Sequence, residues 1–390
     1  MTGRLTTLLL LAGLAVGCGS DDQEKQVEAA EVVQTYAVNL KATYEDIVVE
    51  LLALQGAVDA FVAEPSESGL EATRAAWLDA HAIYGQSEVS RFYGGPLDDA
   101  QGRVNEWPLD ENFLDYTADE PEGGIVNSPE EYPEITVDVL KATDHMGGLE
   151  NLPAGFHAIE FLLWGQRLSQ AEGPGSRPYT DYVDDGTAAN QDRRRDYLKA
   201  ATDLLLSDMQ GVVGDWDLSD PNSYGSQFVK APTQDSIEAI ARGLTDLSIS
   251  ELYYERMLDP YVTMDRKDEE SCFSETTYTD LVANATSIEN VYLGRYGSHS
   301  GPGLSALVRA RDATLDDQLK AQLHANLVAI QAIPQPFDHA VIAPASSEEH
   351  QKVQAALQTF WPLLPHNNPG TGPQNLYEKM AATLGVVINL

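Results

Sequence analysis

The chain has 390 residues and is 43% hydrophobic, enough for one large or two ordinary domains with real cores, which excludes intrinsic disorder for its body. Its formal charge of −37 excludes nucleic acid as a partner, because a polyanion is held by a basic surface that this composition lacks. The same acidity suits cations, solubility or a saline medium, and an ordinary solvated acidic coat is favoured over a dedicated cation sponge.

The N-terminus, "MTGRLTTLLLLAGLAVGCGSDD", carries Arg4, an apolar run from Leu5 to Val16 and small residues before Cys18. The run is too short for a comfortable transmembrane helix, so residues 1–17 read as a lipoprotein signal, with cleavage before Cys18 and lipid on its thiol. Plain secretion with Cys18 incidental is the competing reading. Residues 18–30 are polar and read as a flexible tether. The expectation is therefore a cell-envelope protein, anchored to a membrane through its lipid only and facing the periplasm or the cell surface. With Cys18 acylated, Cys272 is the one remaining cysteine, and stability must come from packing rather than an internal disulfide.

Beyond the tether, helical periodicity dominates. From Val33 to Phe61, Tyr36, Leu40, Tyr44, Ile47, Val48, Leu51, Leu54 and Val58 repeat at three and four, predicting one long amphipathic helix that Pro65 and Gly69 end. A second helix is expected from Leu70 to Phe92, with Trp77, Ile83 and Tyr84 in the core. About sixty residues rich in Gly, Pro, Asn and Asp follow and read as long ordered loops, because Trp107, Leu109, Phe113, Leu114 and Tyr116 argue against disorder. Further helices are expected at Pro153–Gln166, Asp192–Gly211, Gln234–Leu258, Thr276–Tyr292, Gly303–Ala332, Glu348–Leu364 and Tyr377–Gly385. No alternating strand pattern stands out, although "GGIVN" could pair locally, and "SQAEGPGSRPYTDYVDDGTAAN" reads as an exposed insertion. The fold class is all-α: two helical bundles, 31–214 and 215–390. "SEVSRF" with Glu88 and Arg91, and "SELYYERM" with Glu251 and Arg256, form a faint echo that fits internal duplication or merely salt-bridged faces.

"GFHAIEFLLWG" is where the chemistry concentrates. At about 100° per residue, His157, Glu160, Phe161 and Trp164 share one side of a helix that is apolar all round and therefore buried. A buried glutamate costs several kcal/mol unless paired, so His157 and Glu160 need a partner. A divalent or trivalent metal can be shared by imidazole and carboxylate; arginine is the alternative. Neither HExxH nor HxxEH is present, so the familiar zinc-protease patterns are missing. Further ligands must come from afar: Glu88, Glu251 and, in "DRKDEES", Asp268, Glu269 and Glu270. The other histidines, His81, His145, His299, His324, His339, His350 and His366, rank below these carboxylates, in contexts that read as loops or solvated faces.

"GFHAIEFLLWG" resembles the GxHxxE signature of the imelysin-like proteins, bacterial cell-envelope proteins also described as iron-regulated protein A or insulin-cleaving metalloproteinases. "WLDAHAIYGQSEVSRFYGGPLD", "NEWPLDENFLDY", "DEESCFSETTYTDLVANATSIENVYLGRYG" and "AIPQPFD" resemble the family's other blocks in the family's order, from about Tyr36 to the C-terminus. The resemblance implies two duplicated helical bundles with the signature near their junction, and carries Gly155, His157 and Glu160 onto it. Around Cys272 the family pattern reads DEHSCFSDNTH, whereas this chain has Glu270 and Tyr278 at the histidine positions and Glu275 at the aspartate. Histidine-rich coordination there is in doubt.

Two functional classes follow. The first is an envelope lipoprotein that binds iron, or another transition metal such as zinc, as an ion, a chelate or haem, and works with iron-uptake partner proteins. Its metal ligands would be His157 and Glu160, with Glu88, Glu251 and Glu269 as further candidates, and Gly155, Arg91, Trp107, Trp164, Arg256 and Ser271 lining the site. The second is a metallopeptidase with Glu160 as ligand or general base, which needs three protein ligands and an open position. A structural envelope module without ligand is the third reading, in which Arg91 or Arg256 satisfies the buried pair.

Overall fold

In the computed structural model, residues 27–167, 173–365 and 374–389 are described. The signal segment, Cys18 and most of the tether lie outside the described residues, as does His366. Helix α1 (Ala29–Ala63) buries Tyr36, Leu40, Tyr44, Ile47, Leu51, Leu54, Val58 and Phe61 along one face, as the spacing requires; Val48 sits at its edge, half-buried. Ser66 caps α2 (Glu67–Tyr84) by accepting the Gly69 N–H, and Gly85 ends it, so the expected extension to Phe92 becomes a separate 3₁₀ turn, Glu88–Ser90.

The long loops hold short helices: α3 (Pro96–Val104), α4 (Glu111–Leu114), α5 (Gly124–Asn127) and α6 (Val137–Thr143). "GGIVN", expected to pair as a strand if anything, is helix α5: Ile125 and Val126 are both buried, and the Asn127 amide donates back to Gly123 O at 2.7 Å. Helix α7 (Phe156–Trp164) follows, then a 3₁₀ turn (Tyr179–Tyr182) and α8 (Gln191–Asp215). The stretch expected as an exposed insertion instead plants Arg177, Asp181 and Tyr182 in the interior. Arg177 Nη1 lies 2.7 Å from Asp115, which also receives the Arg194 fork at 2.6 and 2.9 Å.

Helices α9 (Tyr224–Lys230) and α10 (Thr233–Asp246) come next, and α10 runs on through a π-wound stretch, Leu247–Leu258, into α11 (Asp259–Thr263). In an α-helix, residues five apart diverge; π winding, with its i→i+5 pattern, brings them to one side. Glu251 and Arg256 are such a pair, 3.2 Å apart. After α12 (Thr277–Leu293) a hairpin pairs Arg295 with Ser300 and Tyr296 with His299. The single helix expected over Gly303–Ala332 is two, α13 (Leu304–Arg311) and α14 (Ala313–Gln331), because Asp312 caps the second by accepting the Leu315 N–H. Helices α15 (Phe337–Ile342), α16 (Glu348–Thr359) and α17 (Leu376–Leu384) complete the chain. Helix α1 packs on α2 and α8 and also on α9, α10 and the hairpin, so it borders both stretches of sequence. Among the described residues no helix is long and apolar enough to cross a membrane.

Candidate metal site

All nine residues of α7 are buried, and the helix is held by its backbone. Four terminal carbonyls of any helix lack internal partners; here Tyr182 Oη donates to Leu162 O, Arg74 to Leu163 O and the Arg177 N–H to Trp164 O. At the other end Trp77 Nε1 donates to Phe156 O and Tyr197 Oη to Pro153 O. The N-cap, Gly155, has φ +92°, and a Cβ there would stand 2.6 Å from Arg103 O and 2.8 Å from Val104 O. Gly155→Ala should therefore cost about 2 kcal/mol or more, from positive-φ strain and backbone clash together, as a lowered urea midpoint.

Inside this frame His157 Nδ1 lies 2.9 Å from Glu160 Oε2. The other Glu160 oxygen, Oε1, accepts from the backbone N–H and the hydroxyl of Ser274 at 2.7 and 2.6 Å. A carboxylate so placed draws the imidazole proton to Nδ1 and leaves Nε2 with its lone pair. Among the described residues Nε2 has no hydrogen-bond partner, although His157 is only 2% exposed. An orphaned buried nitrogen is costly, and either a metal ion or an ordered water would satisfy it.

Donor atoms of His81, His157 and Glu270, all buried, lie within 4.8 Å of one another. His81 is 3.1 Å from Asp280 through Nδ1 and 2.9 Å from Asn105 Oδ1 through Nε2. Asn105 in turn donates to Glu270 Oε1 at 3.0 Å, and Glu270 Oε2 is 3.1 Å from Arg256. Burial lowers the His81 pKa, but the Asp280 carboxylate outweighs it and lifts the ring to about 9. Burial raises Glu270 to about 8 despite the neighbouring Arg256 charge. Two imidazoles and one carboxylate are a donor set that suits ferrous iron or zinc. His157 offers its nitrogen freely, whereas His81 would exchange its bond to Asn105.

Two members of the cluster, His157 and Glu270, line a cleft of about 370 Å³ together with Glu269, Cys272, Phe273, Trp107 and Gln166; His81 stands behind them and does not line it. Glu269 is buried, and its carboxyl is pushed well up, first by burial and then by the charge of Asp338.

The imelysin (peptidase M75) family profile matches residues 40–360. The chain belongs to the imelysin family. Iron-regulated protein A of Synechococcus elongatus is 25% identical over 359 residues, covering 89% of this chain and 87% of that one. Two crystal structures share the fold. An iron-regulated protein A precursor from Parabacteroides distasonis has TM-score 0.69 and 22% identity, with 94% of this chain and 96% of that one covered. An imelysin-like protein from Psychrobacter arcticum has TM-score 0.61 and 15% identity, covering 93% and 98%.

In this imelysin not every candidate ligand reaches the cluster. Glu160 stands behind His157 as its hydrogen-bond acceptor and does not line the cleft. Glu88 and Glu251 are absent from the cluster because arginines hold them: Arg256 grips Glu88 with a fork at 2.6 and 2.8 Å, and Arg91 reaches Glu88 and Glu251 at 3.1 and 3.4 Å. Burial raises the Glu88 carboxyl, yet Arg256 overrides it and brings it down to about 2. Glu269 and Asp268 do line the cleft, as does Trp107. Trp164 does not; it packs edge-on against Trp77, 5.4 Å between ring centres. Ser271 donates to Asp280 Oδ2 at 2.6 Å and so acts on His81 from behind. Neither Arg91 nor Arg256 contacts the His157–Glu160 pair, so arginine is not what satisfies it.

The ranking of the histidines is corrected at two positions. His81 and His350 are buried rather than solvated, His350 between Val341 O and the Tyr261 hydroxyl. His81 lies four residues after Trp77 on the inward stripe of α2, and that spacing was the available signal. Glu275, Asp338 and His339 form a second acidic group, but Arg167 lies 2.7 Å from Asp338 and already supplies the cation.

Proposed function

We propose that this imelysin binds a transition metal, iron in the first place and zinc as the alternative, through His157, Glu270 and His81. We further propose that it serves iron uptake from the cell envelope, anchored by lipid on Cys18. One observation carries the reading: a buried imidazole nitrogen, its tautomer set by Glu160, faces a cleft with no partner of its own. The names of its relatives, iron-regulated protein A, support iron. When bound, the metal would supply a positive charge to His157 and Glu270 beside the one that Arg256 already gives Glu270. The peptidase alternative is weakened, since Glu160, the expected general base, is closed off by Ser274 and His157.

The test is metal content after loading with Fe2+ under nitrogen, or with Zn2+, and gel filtration. Wild type should retain about one equivalent and His157→Ala should lose at least ~100-fold in affinity. Glu160→Gln, which removes the acceptor behind His157, should lose ~10–100-fold. Metal held equally by His157→Ala would sink the proposal, and peptide cleavage abolished by both variants would restore the enzyme.

A further inference from the structure

The walls of the cleft are acidic far beyond what the three proposed ligands require. Asp110, Asp119 and Glu150, from loops that precede α7, line it together with Glu111 of α4. Asp268 lines it as well, whereas Glu269 and Glu270 add little to this charge because burial raises both carboxyls, and Lys267 is the one lysine or arginine among the described lining residues. His157, only 2% exposed, also lines the cleft, and among the described residues its Nε2 has no hydrogen-bond partner.

We infer that the cleft admits its metal as a bare or aquated cation and rejects metal carried on a polycarboxylate chelate; this rests on the metal-binding reading above. Size does not make that choice. A cavity of about 370 Å³ falls in the range that holds small organic ligands, so a chelate of citrate dimensions would fit. Charge makes it. A negative cleft with low-dielectric walls concentrates cations and can raise their association rate by ~10–1,000-fold, and it repels anions by the same field. A carboxylate chelate would bring negative oxygens against these walls, with Lys267 as the one lysine or arginine among the described lining residues to receive them. Haem propionates meet the same obstacle. The chelating agent must therefore leave before the ion passes the rim, and the cargo class is the free cation.

The experiment loads the full-length protein with Fe2+ under nitrogen, as the chloride and as the complex with radiolabelled citrate, and counts iron and citrate after rapid desalting. Iron should be retained near one equivalent from both sources, with citrate below ~0.1 equivalent. The rate of loading from the chloride should fall ~10-fold between 20 and 200 mM salt, because exposed charges are screened. Asp119 and Glu150 are exposed, so the double variant Asp119→Lys, Glu150→Lys should fold. It should load the bare ion ~10-fold more slowly and retain citrate with the iron. Citrate held one-for-one with iron by wild type, or a double variant that loads bare iron at the wild-type rate, would overturn the inference while leaving the metal site standing. Iron bound undiminished by His157→Ala would overturn the site itself, and with it the inference; so would no iron bound at all.

Discussion

Replacing Arg256 by methionine should destabilise the folded chain by about 3–5 kcal/mol, the largest stability loss expected of any single substitution around the site. The guanidinium is 1% exposed and contacts Glu88, Glu251 and Glu270 at once, with Asn284 Oδ1 accepting at 2.6 Å. Removing it leaves Glu88 and Glu251 facing each other beside the Glu270 carboxyl, with Arg91, at the edge, as the one arginine still on the pair. The decisive comparison is the double variant Arg256→Met, Glu88→Gln. Breaking a buried pair is costly because one charge is stranded, whereas removing both partners is far milder, so the double variant should be more stable than Arg256→Met alone. Arg256→Lys should recover only part of the loss, since an ammonium cannot reproduce the two-pronged grip on Glu88. A urea midpoint for Arg256→Met within ~1 kcal/mol of wild type would show that the hub carries little.

That hub also shows why the sequence was legible in some places and not in others. Helices announce themselves by spacing, and the buried stripe of α1 is visible in the chain to within two residues of Val33 and Phe61. His157 and Glu160 are legible for the same reason: two polar residues one turn apart in an apolar helix contradict their surroundings. Ion pairs between distant segments leave no such mark. Glu88 and Glu251 look like spare ligands because nothing local says that Arg256, 168 residues away from Glu88, will claim it. Arg177 and Asp181 look like a solvated loop because a buried salt bridge has the composition of a surface. His81 is the instructive omission. Its partners, Asp280, Asn105 and Glu270, come from three other segments, and only the folded chain makes a ring on an apolar stripe into a member of a polar cluster.

The metal-free protein should lose stability as the pH rises from about 6.5 to 9. His81 has its ordinary value near 6.5 when unfolded and about 9 when folded, because Asp280 prevails over burial. Its stabilising contribution is complete below 6.5 and is gone once the pH passes 9. Glu270 acts in the same sense: its carboxyl rises from 4.5 to about 8 by burial, so the folded chain keeps a proton that the unfolded chain has released. The folded state binds more protons across the whole window, and stability must fall with pH. Glu88 has the opposite displacement, down to about 2, and its contribution is present above 4.5 and constant here. Scanning calorimetry in EDTA should show a melting temperature lower at pH 9 than at pH 6.5 by ~5 °C or more. Glu270→Gln keeps the shape of the uncharged carboxyl and should flatten the lower part of that slope; an unchanged slope would show that Glu270 is ionised throughout. A cation bound at the proposed ligands would replace those protons. Affinity for Zn2+ should therefore climb between pH 6 and 8, about tenfold per pH unit for each proton displaced, and the fall in melting temperature should shrink when the metal is present. A pH-independent affinity would mean that the metal enters without displacing a proton, and that His81 and Glu270 are not among its ligands.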